Sequence, residues 1–412
     1  MNKPPMLTAA QALEQLLAPA IPVSELESVP VQAALGRILA QDVSSLVDVP
    51  PLDNTSMDGY AVRVADLVAH SGLLKVAQRI PAGSIGTALQ PGTAARIFTG
   101  APIPSGADAV VMQEDCSTSP EVPNQVAINT TPTAGQWIRR RGEDLTAGKV
   151  ALQAGCLLRP QELGVAASAG LTHLPVKRRV RVAAFFTGDE LSLPGEPLKP
   201  GGIYNSNRDT LLACIKALGC DATDLGIVPD RLDATRAALR EASRDHDLII
   251  TSGGVSVGEE DHIKPAVNAE GQLNLWQIAI KPGKPLAFGS VRKQADAQSS
   301  TWFIGLPGNP VSSFVTFLLF VRPFILRLQG RTEIAAPTYQ MRADFDWPKA
   351  DRRNEFLRVK VNTEGGLDLY PNQSSGVLTS AAWGDGLVDC PPGQAIASGD
   401  LVSYIPFTAL LS

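Results

Sequence analysis

The chain has 412 residues, 44% apolar and 19% charged, with a net charge of −5. These values describe a soluble globular protein of about two to four domains without the basic excess that broad binding to nucleic acid requires. Its five cysteines form no CxxC pair and its four histidines are isolated, which argues against a zinc site, a histidine-based metal site or a triad and fits a reduced, cytoplasmic compartment.

The amino-terminal run MNKPPMLTAAQALEQLLAP is amphipathic and interrupted by Glu14, so no signal peptide is expected. Residues 46–145 are rich in Pro, Gly, Val and Ala with short alternating runs such as Ala94–Phe98 and Ala109–Gln113, the pattern of a small β-rich unit. Within it, Asp53-Asn-Thr-Ser-Met-Asp58-Gly-Tyr60 is a dense polar run, although Asp58-Gly59 also fits a tight turn. Ile97-Phe-Thr99-Gly-Ala-Pro reads as a strand ending in a Pro-Gly loop, where Thr99 also fits an ordinary strand-end hydroxyl.

From 180 to 327 the pattern alternates between strand and helix. Val180–Phe186 is a strand, and Leu211, Leu212, Ile215 and Leu218 mark a helix face closed by Gly219. Thr223–Val228 is a strand, Leu232–Arg244 a helix and Asp247–Thr251 a strand. A helix around Ile263–Val267, strands near Leu273–Ala279 and Trp302–Ile304, and a helix opened by Asn309-Pro310 follow. Such alternation predicts an α/β domain with a mostly parallel sheet, its ligands lying beyond the carboxyl ends of the strands. The most apolar run, Val311–Val321, is about half a membrane span and is closed by Arg322-Pro323, so it predicts a core helix. Residues 333–412 return to the β-rich style, as in Phe356–Val361 and Gly399–Ile405.

Chemistry concentrates at the predicted strand ends. In Thr251–Lys264, TSGGVSVGEEDHIK, a strand empties into a helix through Gly253, Gly254, Ser256 and Gly258, a loop built to approach an anion closely. The acidic run Glu259-Glu260-Asp261 would repel a bare phosphate, which argues for a bridging divalent cation held by carboxylates and substrate phosphates. The loop matches neither GxxxxGK[ST] nor GxGxxG, which weakens ATPase and dinucleotide readings. Thr187-Gly-Asp-Glu190 offers two carboxylates at a loop tip. Lys281-Pro-Gly-Lys284-Pro sets two ammonium groups on a proline-stiffened turn, and Gly305-Leu-Pro307-Gly-Asn309-Pro310 opens a helix amino terminus. Each loop alone also fits a solvated surface turn, but together they converge on one sheet edge.

The set NTSMDGYA, FTGAPIP, TGDEL, SGGVSVGEED, KPGKP and GLPGNP, in this order, resembles the molybdopterin molybdenumtransferase family, which includes the gephyrin E-domain. The resemblance covers nearly the whole chain. It implies a multidomain α/β-plus-β subunit: residues 1–45 with 146–178 as a linker and dimerisation region, 46–145 as a β-rich arm, 179–328 as the molybdopterin-binding α/β domain, and 329–412 as a small β-barrel-like domain. It also implies a homodimer in which the arm of one subunit faces the α/β domain of the other. The implied reaction takes adenylylated molybdopterin and molybdate, needs Mg²⁺, and releases AMP and molybdenum cofactor. An adenylyltransferase is the implied partner; nucleic acid and membrane are not.

By motif, Asp58 and Thr99 resemble the family's functional arm residues, and Glu190, Asp230 and Asp261 its acidic and metal-holding residues. Pro229-Asp230-Arg231 stands where the family more usually has an acidic pair. Lys281, Lys284, Arg358 and Ser375 resemble its anion-site residues, beside Gly253, Gly254, Ser256, Gly258, Pro307 and Asn309 of the two glycine loops. Two other readings are open: a nucleotide pyrophosphatase of the competence-damage type, which lacks the NTSMDGYA and FTGAPIP arm, and a gephyrin-like scaffold, which needs further domains.

Overall fold

The computed structural model describes residues 6–254, 262–293 and 296–411. Its centre is a six-stranded sheet in the order Asp221–Val228, Arg181–Thr187, Leu248–Ser252, Asp296–Leu306, Pro285–Lys293, Gly271–Gln277. The first four strands run parallel. Leu248–Ser252 is buried throughout and Arg181–Thr187 everywhere but at Arg181, as expected of parallel strands covered on both faces. Val182, Ala184 and Phe186 face one core with Ile304 and the helix Pro310–Leu328. Ala183 and Phe185 face the other, with Leu239 of helix Leu232–Asp245 and Ile263 of helix Ile263–Glu270. The helix Pro310–Leu328, long and apolar enough for a membrane span, is 89% buried inside the protein and is a core helix, with π-helical winding over Phe317–Val321.

The sheet is mostly parallel, with one strand that the sequence pattern does not predict. Pro285–Lys293 is a strand, and it pairs antiparallel with both Gly271–Gln277 and Asp296–Leu306, so the sheet is mixed. The reason is the length of the connection. The short segment 278–284 closes a hairpin, whereas a parallel return needs a crossover of about a dozen residues or more.

Two β-rich units flank this domain. The arm sheet runs Ala109–Met112, Gly59–Val62, Thr93–Ile97, Leu73–Ile80, Gln125–Ile128, Cys116–Ser117. Between arm and centre, Leu26–Pro30 pairs with His173–Lys177 and Val43–Ser44 with Val150–Leu152. The carboxy-terminal sheet runs Asn354–Val361, Gly386–Cys390, Leu401–Pro406, Tyr339–Arg342, with Leu367–Leu369 outside Asn354–Val361. The Asp344 N–H donates to the Leu367 carbonyl at 2.9 Å, so the sheet nearly closes on itself. It is joined to the centre by parallel pairing of Ile280–Lys281 with Asn354–Glu355.

Candidate active site

Strand register gathers the loops. Thr187 is level with Val228, Phe186 with Ser252, and Ser252 with Leu306, so four parallel strands end on one line. The loops leaving that line, with 281–284 and 373–376, enclose a cleft of about 1040 Å³. Glu190, Asp230, Gly253, Gly254, Lys281, Lys284, Pro307, Asn309 and Ser375 line it, all named by the sequence.

The walls are held by local bonds. Gly253 has φ +99°, and a Cβ there would stand 2.6 Å from the Thr187 carbonyl oxygen, so only glycine lets the two strand ends approach. Asn207 Nδ2 donates to Ser252 Oγ at 2.8 Å and to the Gly308 carbonyl at 2.7 Å, tying the glycine loop to Pro307–Asn309. The neighbouring Asn205 caps helix Ser206–Ala217, its side-chain oxygen accepting from the Arg208 N–H at 3.1 Å. Its Nδ2 is buried in the cleft wall without a partner. The Ser375 carbonyl accepts from the Val311 N–H at 2.9 Å, seating the carboxy-terminal domain on the amino terminus of helix Pro310–Leu328.

The two lysines differ. Lys281 Nζ lies 2.8 Å from Glu355, which is 2% exposed, and 3.6 Å from Asp351. Lys284 is exposed in the cleft and has no ion pair among the described residues. The Lys281–Pro282 peptide bond is cis. Arg353, also in the wall, donates to Asp351 Oδ2 at 2.9 Å, and these bonds hold the Asp351 carboxyl well below the usual carboxylate range. The cleft therefore offers one unpaired ammonium group, a paired one and an arginine already committed to a carboxylate.

Arg358, carried over as an anion-site residue, is not brought to the cleft surface. It is 1% exposed, donating to Ser380 Oγ at 3.1 Å and to the Phe356 carbonyl at 3.1 Å, and burial pushes its pKa down to about 10. Its backbone is clamped by Gln373, whose Oε1 accepts from the Arg358 N–H at 2.9 Å and whose Nε2 donates to the Arg358 carbonyl at 3.0 Å. Arg358 thus supports the loop that presents Ser375. Asp58 and Thr99 meet each other in the arm and do not line this cleft. Ser256, Gly258 and Asp261 lie outside the described residues.

The sequence reading passed over Asn205, Asn207, Arg353 and Gln373. Of these, Asn205 carried a local signal, as an amide directly before a helix is an N-cap signature. The donor set fits Mg²⁺ chemically: Glu190 and Asp230 supply carboxylate oxygens from neighbouring strand ends, and among the described residues no sulfur or imidazole lines the cleft. Among the described residues no three metal-binding side chains gather.

Similar proteins match along nearly the whole chain. Residues 7–170 match a family model described as "MoeA N-terminal region (domain I and II)", 183–327 "Probable molybdopterin binding domain", and 340–407 "MoeA C-terminal region (domain IV)". A molybdopterin molybdenumtransferase of Haemophilus influenzae is 38% identical over 98% of this chain and 100% of its own length. One from a Nostoc species is 36% identical over 92% and 89%. A crystal structure of a molybdopterin biosynthesis MoeA protein from Pyrococcus horikoshii superposes with a TM-score of 0.82 at 26% identity, covering 98% of this chain and 100% of that one. With matches along its length and relatives aligned nearly end to end, the chain belongs to the molybdopterin molybdenumtransferase family.

Proposed function

We propose that the cleft transfers molybdenum from molybdate to adenylylated molybdopterin, releasing AMP and molybdenum cofactor. The observation that carries this reading is the convergence of carboxylates, glycine-loop backbone and an unpaired lysine of the central domain, with Ser375 of the carboxy-terminal domain, on one cleft of about 1040 Å³. A substrate with a pyrophosphate and a second oxyanion needs those groups together. The backbone at Gly253 and Gly254 approaches the phosphates, and Lys284 neutralises the oxyanion. Lys281, fixed by Glu355, orients the turn that carries Lys284. Ser375 and Asn309 complete the pocket from facing loops, with Pro307 shaping the wall.

Glu190, Asp230 and Asp261 are the residues that would hold Mg²⁺, which when bound supplies charge neutralisation at the phosphoanhydride. Arm residues Asp58 and Thr99 act in the cleft of a second copy, making the enzyme a homodimer. Large exposed apolar side chains in the region between arm and centre support that assembly: Leu35 is 55% exposed, Leu46 66% and Val150 50%. A cytoplasmic enzyme supplied by an adenylyltransferase completes the reading.

Incubating the protein with adenylylated molybdopterin, molybdate and Mg²⁺ tests it. AMP should appear together with cofactor that activates an apo-molybdoenzyme. AMP release without cofactor would favour the pyrophosphatase alternative instead.

A further inference from the structure

We propose that the arm carries a second oxyanion site, separate from the cleft of its own chain, built on Arg79 and Arg96. The two residues stand opposite each other on the parallel strands Leu73–Ile80 and Thr93–Ile97. Both guanidinium groups pack on the ring of Phe98, at 4.4 Å and 4.6 Å from its centroid. Arg96 also lies 5.2 Å from the Tyr60 centroid and donates to the Gly59 carbonyl at 2.9 Å and to Gln113 Oε1 at 2.6 Å.

Like charges placed opposite each other on adjacent strands are destabilising. Elsewhere in the arm the fold pairs such groups: Arg63 with Asp66 at 2.7 Å and Arg140 with Asp53 at 2.7 Å. Among the described residues, Arg79 and Arg96 have no ion pair, and Arg79 donates no hydrogen bond to the protein. Of the nearby carboxylates, Asp58 accepts both its hydrogen bonds from Thr99 and feels Arg96 only through space, and Glu114 accepts from Gln113 rather than from either arginine. The aromatic stacking therefore fixes two guanidinium groups side by side without a direct carboxylate partner, and the Arg79 fork is the one left open.

A concavity of about 460 Å³ opens over this pair, lined also by Tyr60, Thr118, Ser119 and Asn124. Its rim thus adds hydroxyl and amide donors to two guanidinium groups. Guanidinium forks match tetrahedral oxyanions bidentately, and a fork already held on an aromatic face loses little freedom on binding. The ligand class is a tetrahedral oxyanion, either free or as the phosphate group of a small molecule. Arg96 grips the carbonyl next to Asp58, and Phe98 directly precedes Thr99, so an anion here touches the segment that positions the Asp58–Thr99 pair.

The test is equilibrium dialysis of the whole protein with labelled inorganic phosphate and, separately, with molybdate. Parent protein should show a class of sites that Arg79→Gln weakens about tenfold or more and Lys284→Ala leaves intact. Arg79→Lys should restore only part of the binding, because an ammonium group lacks the fork. The melting temperature should change little, since Arg79 is exposed and the loss of its stacking on Phe98 is offset by relief of its repulsion with Arg96. Binding of phosphate alone or of molybdate alone identifies the source of the anion. Should Arg79→Gln bind both probes as the parent does, or Lys284→Ala abolish all binding, the arm site is wrong while the cleft reading stands. Arg79-dependent binding with none dependent on Lys284 would instead keep the arm site and count against the cleft.

Discussion

Asp58 Oδ1 accepts two hydrogen bonds from Thr99, from its backbone N–H at 2.8 Å and from its hydroxyl at 2.7 Å. The pair joins two motifs 41 residues apart, yet neither residue lines the cleft of its own chain. Two polar side chains held together at an accessible loop, apart from the predicted site residues that line the cleft, are suited to a ligand brought by another surface.

The bonds favour the ionised form of Asp58. The Thr99 N–H, followed by its hydroxyl, holds the carboxyl below its ordinary value of 3.8. Because the folded pKa is depressed, the stabilisation is present above the ordinary value and fades as pH falls through the lower folded one. Thr99→Val removes the hydroxyl and keeps the N–H. The titration midpoint of Asp58, followed by carboxyl carbon NMR, should move up toward 3.8 without passing it. The acid limb of the activity profile should move the same way, and an unmoved midpoint would show that the hydroxyl contributes nothing.

Lys281→Ala and Lys284→Ala should separate stability from anion binding. Losing Lys281 removes the ion-pair partner of the buried Glu355, leaving it the Trp347 indole N–H at 2.9 Å and the more distant charge of Arg353, and should cost about 1–2 kcal/mol in denaturant unfolding. Lys284→Ala should leave unfolding unchanged within about 0.5 kcal/mol, as for an exposed charge, and raise the molybdate concentration needed for half-maximal AMP release. Equal unfolding midpoints for the two variants would contradict this division.

Asn207→Ala should cut the bonds to Ser252 and Gly308 together. The expected loss is about 1–3 kcal/mol, with a higher KM for the adenylylated substrate as the two glycine loops separate. A variant with parental KM and melting temperature would show that the loops hold their places without Asn207.

Gly253→Ala should be worse than a loop substitution ordinarily is. The new methyl group meets the Thr187 carbonyl oxygen at 2.6 Å in a backbone conformation with φ +99°. Unfolding should become easier by about 1–3 kcal/mol or more, while Gly201→Ala, whose Cβ would meet nothing within 4 Å, should cost less despite its own positive φ of +78°. Comparing the two by urea unfolding checks the point.

Much of the α/β core was legible because buried parallel strands are continuous apolar runs, and helices such as Leu232–Asp245 repeat their buried residues at helical spacing. The strand Pro285–Lys293 was not, because its proline and Gly289 resemble loop punctuation and its partner strand decides its fate. The cleft's loops were found because glycine, proline and charge cluster at strand ends. The Lys281–Glu355 pair was invisible, since it exists only where two domains join by the pairing of Ile280–Lys281 with Asn354–Glu355. Asn207 acquires its role from strand ends aligned by register, which no local pattern records. Arg358 shows the limit of motif matching: the motif marks the position, but burial turns the side chain toward Ser380 and Phe356.

The central claim is that arm and cleft form one site across two subunits, and mixing complementary variants tests it most directly. Asp58→Ala damages the arm and Lys284→Ala the cleft, and the two proteins are combined after reversible dissociation. Each mixed dimer then holds one cleft with both defects and one with neither. With about half of the dimers mixed and one working cleft in each, molybdate-dependent AMP release should return to roughly a quarter of the parental rate. A mixture that stays as inactive as its components, with subunit exchange verified by mass-labelled protein, would contradict the claim and assign Asp58 and Thr99 to their own chain.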